Sequence, residues 1–163
     1  DEYRKHWGAT IGFSGRGEMI PNEKSFCELD PKTVDQWGIP VLRFHWAWSD
    51  HELLQVKHMQ ETFRTLLKEM GAEVRSTMPT KEQGYGIATG GAIIHELGCV
   101  RMGDNPTTSA LNSNCQAWDC KNLFVADGGP FVSQADKNPT WTILALSMRT
   151  SRYIAQQRKE GKL

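Results

Sequence analysis

The run NPTWTILALSMRTSRYIAQQ, residues 138–157, follows closely on KNLFVADGGPF, residues 121–131, and the two together read as a strand, a loop and a long helix. Leu123 to Ala126 is a short apolar run ending in Asp127, Gly128 and Gly129. An acidic side chain and pliable backbone therefore stand at the carboxyl edge of the predicted strand, the edge where cofactors bind in open α/β sheets. Asn138 is a preferred N-cap and Pro139 is preset for the first helical position, which predicts a helix from Pro139 to about Gln157. The free N–H groups and partial positive charge at its start favour an anion or an electron-rich ring. Spacing alone leaves Asn138 two roles, a cap that only ends the helix or a polar group that takes part in chemistry.

Upstream lies a glycine-rich passage, GYGIATGGAIIHELGCVRMG, residues 84–103, in which glycine permits close backbone approach. His95 stands between an apolar run and Gly98, where its imidazole can face a cleft. Taken alone, a histidine in that setting is more often a satisfied core residue. HELG is not the HExxH of a zinc protease, since no second histidine follows at the helical offset. Nor is there a GxSxG elbow, and Ser133 near Asp127 has no local motif around it.

In the preceding half, Ile39 to Trp48 alternates, with Leu42, Phe44, Trp46 and Trp48 on one face and Arg43 and His45 on the other, as a half-buried strand requires. Ser49 and Glu52 form a capping box. Leu53, Val56, Met59, Phe63, Leu66, Leu67 and Met70 then recur at helical spacing until Gly71, an amphipathic helix of about five turns. His51 and His58 fall on or near its polar side and read as solvated. The opening segment IGFSGRGEMIPNEKSFCELDP, residues 11–31, mixes glycine and proline with apolar bursts, so brief strands and turns are expected. Gly15 and Gly17 do not make a dinucleotide-binding loop.

Nineteen basic and nineteen acidic residues cancel and are scattered, so neither a nucleic-acid footprint nor another polyanion-binding surface is present. No stretch approaches the roughly 20 consecutive apolar residues of a membrane helix. Cys27, Cys99, Cys115 and Cys120 lack CxxC spacing and are expected to be buried free thiols, with no metal site. The six tryptophans suggest core or subunit contacts, and the polar tail Gln156 to Lys162 suggests a fraying end.

Read together, HELGCVRMGDNPTTSALN, NLFVADGGPF and NPTWTILALSMR resemble, in order and spacing, the C-terminal region of the glucose-methanol-choline (GMC) oxidoreductases. The resemblance spans Trp37 to Ile154 and is densest from His95 to Arg149. RMG after the histidine and NPT before the last helix look like the bacterial sugar and sugar-acid dehydrogenases of that family, those acting on gluconate or fructose. The resemblance implies FAD as cofactor, His95 as the base that takes the substrate hydroxyl proton, and Asn138 as the group binding the same oxygen. It sets Asp127 and Gly128 beside the flavin's ribityl and phosphate portion, and Pro139 and Thr140 under its pyrimidine edge.

The implied architecture is α+β. Residues 1–90 form a portion of a substrate-binding domain, a sheet with its covering helix. Residues 91–163 form a catalytic segment whose strand, loop and helix complete an FAD-binding α/β domain. The family's GxGxxG loop is missing, so the chain is expected to be a piece of a longer polypeptide that holds the adenine half of FAD elsewhere and to bind FAD poorly alone. Expected partners are an alcohol or sugar substrate, the remainder of the polypeptide and a cytochrome or small subunit; the resemblance implies a periplasmic or membrane-associated setting, with a cytoplasmic one as the alternative. Two other readings are a non-enzymatic module that binds a partner through its tryptophan-rich strand, and a metal-dependent hydrolase using His95, Glu96 and distant histidines.

Overall fold

Alternation ahead of Ser49 produces an antiparallel hairpin in which β1 (Phe26–Val34) pairs with β2 (Pro40–His45). Phe26 lies opposite His45, Cys27 opposite Phe44, Glu28 opposite Arg43 and Leu29 opposite Leu42. Residues directly opposite share a face, so Cys27, Leu29, Leu42 and Phe44 form one side and Phe26, Glu28, Arg43 and His45 the other. On the second side the Phe26 ring stacks on His45 at 4.2 Å, and His45 Nε2 lies 2.9 Å from Glu28 Oε1. The ladder loses register between Leu29 and Val34, where Asp30 Oδ1 accepts the N–H groups of Lys32 and Thr33.

The computed structural model describes residues 1–133 and 135–163. Within it the strand expected from Ile39 to Trp48 stops at His45. Side chains replace the ladder beyond that point: Ala47 N–H donates to Ser25 Oγ, and Ala47 O accepts from Asn22 Nδ2 and Ser25 Oγ. The expectation of a half-buried strand is also corrected, since Leu29, Leu42 and Phe44 are 63%, 57% and 63% exposed. The alternation is there, but no layer among the described residues covers the apolar side.

The predicted helix forms as α2 (Asp50–Glu69), with the capping box of Ser49 and Glu52 complete. It ends in a Schellman arrangement: Gly71 takes φ +74°, its N–H reaches Lys68 O, and Ala72 N–H reaches Leu67 O. The opening segment is a strap along this helix. Phe13 stacks on Phe63 at 5.4 Å, Glu18 exchanges hydrogen bonds with Gln55, and Ile20 N–H donates to Glu52 Oε1 at 3.0 Å. His51 and His58 are exposed, as expected from their place on the helix. A short helix, α1 (Glu2–Lys5), precedes the strap, and a 3₁₀ turn, Gly84–Gly86, rests on α2 through Gln60 Nε2 and Tyr85 O.

The C-terminal region is knit differently. Its regular element is α3 (Thr140–Lys159), which begins one residue later than expected. Its first i→i+4 bond runs from Ile143 N–H to Pro139 O, so Pro139 and not Asn138 is the N-cap, and no side chain caps the helix. The strand expected at Leu123 to Ala126 is absent. Only a bridge between Gln116 and Phe124 forms, flanked by Ala117 N–H to Leu123 O and Val125 N–H to Cys115 O. This run closes a tight loop unit, and no neighbouring strand among the described residues extends the pairing. Buried here are Leu111, Cys115, Gln116, Pro130 and Thr150. The helix docks on the loop unit through Ser147 Oγ to Ala126 O, Thr150 Oγ1 to Asn114 O, and the edge-to-face pair Phe124–Tyr153.

Cys115 alone of the four free thiols is buried, which corrects the expectation for Cys27, Cys99 and Cys120. Also uncovered is the α3 stripe of Trp141, Leu144 and Met148. The accessible surface totals 12397 Å² for 18.4 kDa. A closed monomer of that mass exposes about 8,200 Å². The α+β class is observed, with much of its apolar surface open.

Candidate functional site

The segment carrying His95 is tied to the Asp127 loop by a short parallel series of backbone bonds. Gly98 N–H donates to Gly128 O at 3.1 Å, Val100 N–H to Gly129 O at 3.2 Å, and Met102 N–H to Pro130 O at 2.9 Å. Gly98 is required twice over: its φ is +83°, and a Cβ there would lie 3.1 Å from Phe131 O. Gly128 is required by packing, because a Cβ would fall 2.2 Å from Leu97 Cδ2 and 3.6 Å from Ile143 Cδ1. Leu97 and the first turn of α3 thus close on the same glycine. That contact gathers the neighbourhoods of His95, Asp127 and Asn138, which the sequence spreads over more than 40 residues.

His95 is half-buried, and its imidazole has no hydrogen-bond partner among the described residues. Asn138 is exposed, likewise uncommitted, and makes no direct bond to His95. Asp127 is exposed and turns back on its own loop, Oδ1 accepting Gly129 N–H at 2.7 Å. Pro139 is buried beneath the helix start, while Thr140 is exposed as its first residue. The N–H groups of Thr140, Trp141 and Thr142 find no acceptor among the described residues, leaving donors and the positive end of a 20-residue helix unsatisfied.

Cys99 lies in the same electrostatic neighbourhood. Partial burial pushes its thiol above the ordinary value, with Cys27 adding to that and Asp127 and Glu96 contributing further. A hollow of about 270 Å³ beside it is lined by Cys99, Arg101, Thr107, Thr108 and Ser109. A larger hollow of about 480 Å³, lined by Gln55, His58, Met59, Thr62 and Phe63, lies on α2 away from this chemistry. Among the described residues no group of three or more His, Cys, Asp or Glu side chains gathers as a metal-ligand set.

Sequence reasoning missed two supports of the site. Arg149 reaches from α3 to donate to Ser113 O, with Met102 Sδ at 3.6 Å and Cys115 Sγ at 3.9 Å. It pins the loop unit to the helix, and only its place within the NPTWTILALSMR motif hinted at a role. Leu97, to which the sequence assigned no role, is the side chain against Gly128.

Residues 21–147 match the family model described as GMC oxidoreductase. The chain is 30% identical over 155 residues to a 2-methyl-1,2-propanediol dehydrogenase of Mycolicibacterium austroafricanum, covering 95% of this chain and 27% of that protein. It is 26% identical over 157 residues to the gluconate 2-dehydrogenase flavoprotein of Pantoea cypripedii, 96% of this chain and 25% of that protein. It is 24% identical over 145 residues to a pyranose 2-oxidase of Lyophyllum shimeji, 89% of this chain and 22% of that protein. The chain therefore spans about a quarter of the length of the curated relatives it matches.

Proposed function

This chain belongs to the GMC family of flavin-dependent oxidoreductases, and we propose that it is the catalytic carboxyl-terminal portion of an FAD-dependent enzyme oxidising an alcohol group of a sugar, polyol or related small molecule. The observation that carries the reading is the convergence on Gly128 of the His95 segment, the Asp127 loop and the first turn of α3.

His95 is the base that accepts the substrate hydroxyl proton. Its imidazole is committed to no other partner among the described residues, and proton removal makes the adjoining carbon a better hydride donor. Asn138 donates its carboxamide N–H to the developing alkoxide. The structure supports this over simple capping, because no side-chain bond caps α3. When bound, FAD supplies the hydride acceptor. The residues that fit it are the three unsatisfied N–H groups at the start of α3, with Pro139 and Thr140 beside them, and the Asp127–Gly128 loop. The free donors suit an electron-rich ring edge.

In this reading residues 1–90 contribute to the substrate-binding domain and residues 91–163 return to the flavin domain. The remaining flavin contacts come from the rest of the polypeptide, in keeping with the open apolar surface. The enzyme is read as a dehydrogenase rather than an oxidase, with a cytochrome or small subunit as a partner. Of the relatives named above, the first two are dehydrogenases and the third is an oxidase.

In the intact enzyme, His95→Ala is expected to slow anaerobic flavin reduction by alcohol by about 10²–10⁴-fold, and Asn138→Ala by about 10²–10³-fold. Both variants should keep their FAD absorbance. Wild-type reduction rates in the two variants would remove the assigned roles.

A further inference from the structure

Trp46 and Trp48 lie just beyond β2, and both engage the backbone that leads to His95. Trp48 Nε1–H donates to Ala88 O at 3.1 Å. Trp46 lies against Gly90 so closely that a Cβ there would stand 2.5 Å from its Cγ and 2.9 Å from its Cβ and Cδ1. The two rings meet edge to face, with centroids 5.3 Å apart and planes at 79°. A turn follows at once, Ala92 N–H to Thr89 O. Downstream, the bonds of Gly98, Val100 and Met102 to the 128–130 loop fix the chain again.

His95 therefore sits on a span anchored at both ends, at 88–90 by the tryptophans and from 98 by the loop. Between the anchors its imidazole has no hydrogen-bond partner among the described residues to set its direction. A side chain without an orienting partner is placed by its backbone, and a misplacement of about 1 Å costs about 10²-fold in rate. We propose that Trp46 and Trp48 are positioning residues for His95, clamping Ala88–Gly90 so that the imidazole reaches the substrate oxygen. The proposal rests on the reading of His95 as the base.

The test uses the intact holoenzyme and a cycle of Gly90→Ala, His95→Ala and the double variant, read by the limiting rate of flavin reduction and its pH profile. Gly90→Ala forces the Trp46 ring aside and is expected to lower the limiting rate by about 10–100-fold, to alter the pH profile, and to leave FAD content and KM nearly unchanged. In the His95→Ala background the same substitution is expected to cause no further loss. Trp48→Phe keeps a ring and removes only the N–H donor. It is expected to show a several-fold loss that also vanishes without His95, and it serves if Gly90→Ala fails to fold. Pairing Gly90→Ala with Trp46→Leu makes room and should recover part of the lost rate. Losses that multiply with His95→Ala, or an undiminished rate in both Gly90→Ala and Trp48→Phe, overturn the clamp. A wild-type rate in His95→Ala alone instead overturns the base.

Discussion

The two halves of this chain hold themselves together by opposite means. The N-terminal half is built of regular local elements, the β1–β2 hairpin and α2 with its strap, and its one nearly inaccessible side chain is the charged Glu52 at 2% exposure. Among its described residues the C-terminal half has a single regular element, α3, yet it contains Leu111, Cys115, Pro130 and Thr150, nearly sealed from solvent. Regular structure and burial are thus separated. Local hydrogen bonding makes an element, but only distant segments brought together make an interior, and here the interior lies beneath the candidate chemistry.

Glycine substitution should expose that difference most strongly. Gly98 and Gly38 share a positive φ, +83° and +81°, but a Cβ at Gly98 meets Phe131 O whereas one at Gly38 meets open space. Alanine at either position carries about 1–2 kcal/mol of left-handed strain. Gly98→Ala should lose clearly more than Gly38→Ala in denaturant unfolding of the intact protein, and equal losses would erase the contrast between the halves.

A smaller effect is expected at Thr150, which is 1% exposed and donates to Asn114 O at 3.2 Å. Thr150→Val leaves that carbonyl unpaired and should cost about 1–3 kcal/mol. The exposed Thr65, whose hydroxyl bonds back within α2, should tolerate the same change within about 0.5 kcal/mol.

The smallest effect belongs to the cap of α2. Burial pushes the Glu52 carboxyl up, but hydrogen bonds from the Ser49 hydroxyl and from the Ile20 and Ser49 backbone outweigh it and hold the group below its ordinary 4.5. Folding therefore favours the ionised form. Its contribution is complete above pH 4.5 and is lost as pH falls through the lower folded value. Glu52→Gln should flatten the stability profile in that acid window and remove about 1 kcal/mol of capping above it. An unchanged pH profile would show that the cap does not couple to the strap.

Much of the N-terminal half was legible because its signals are local. Ser49 with Glu52, the helical period through Met70, and Gly71 as the stop are each decided within a few residues. The strand was legible in its alternation but not in its end, since Ala47 is taken by Ser25 and Asn22 from the far side of the hairpin. In the C-terminal half the helix was legible, whereas the strand at Leu123 to Ala126 was not. An apolar run of that length pairs only if a neighbour is offered, and Gln116 and Ala117 offer a bridge. The candidate site residues came from motif resemblance, whereas the packing of Leu97 on Gly128 and the bond of Arg149 to Ser113 O had no local signal.

Sequence alone determined where helices begin and stop, which residues are chemically able to move a proton, and the family to which the pattern belongs, because capping, periodicity and residue chemistry act over a turn or two of chain. Tertiary structure decided that Gly128 is the meeting point of Leu97 and Ile143, that Asn138 caps nothing, and that Trp46 lies on Gly90. Those outcomes depend on volume and on which backbone donors are already taken by distant partners, quantities that exist only once the chain has closed on itself.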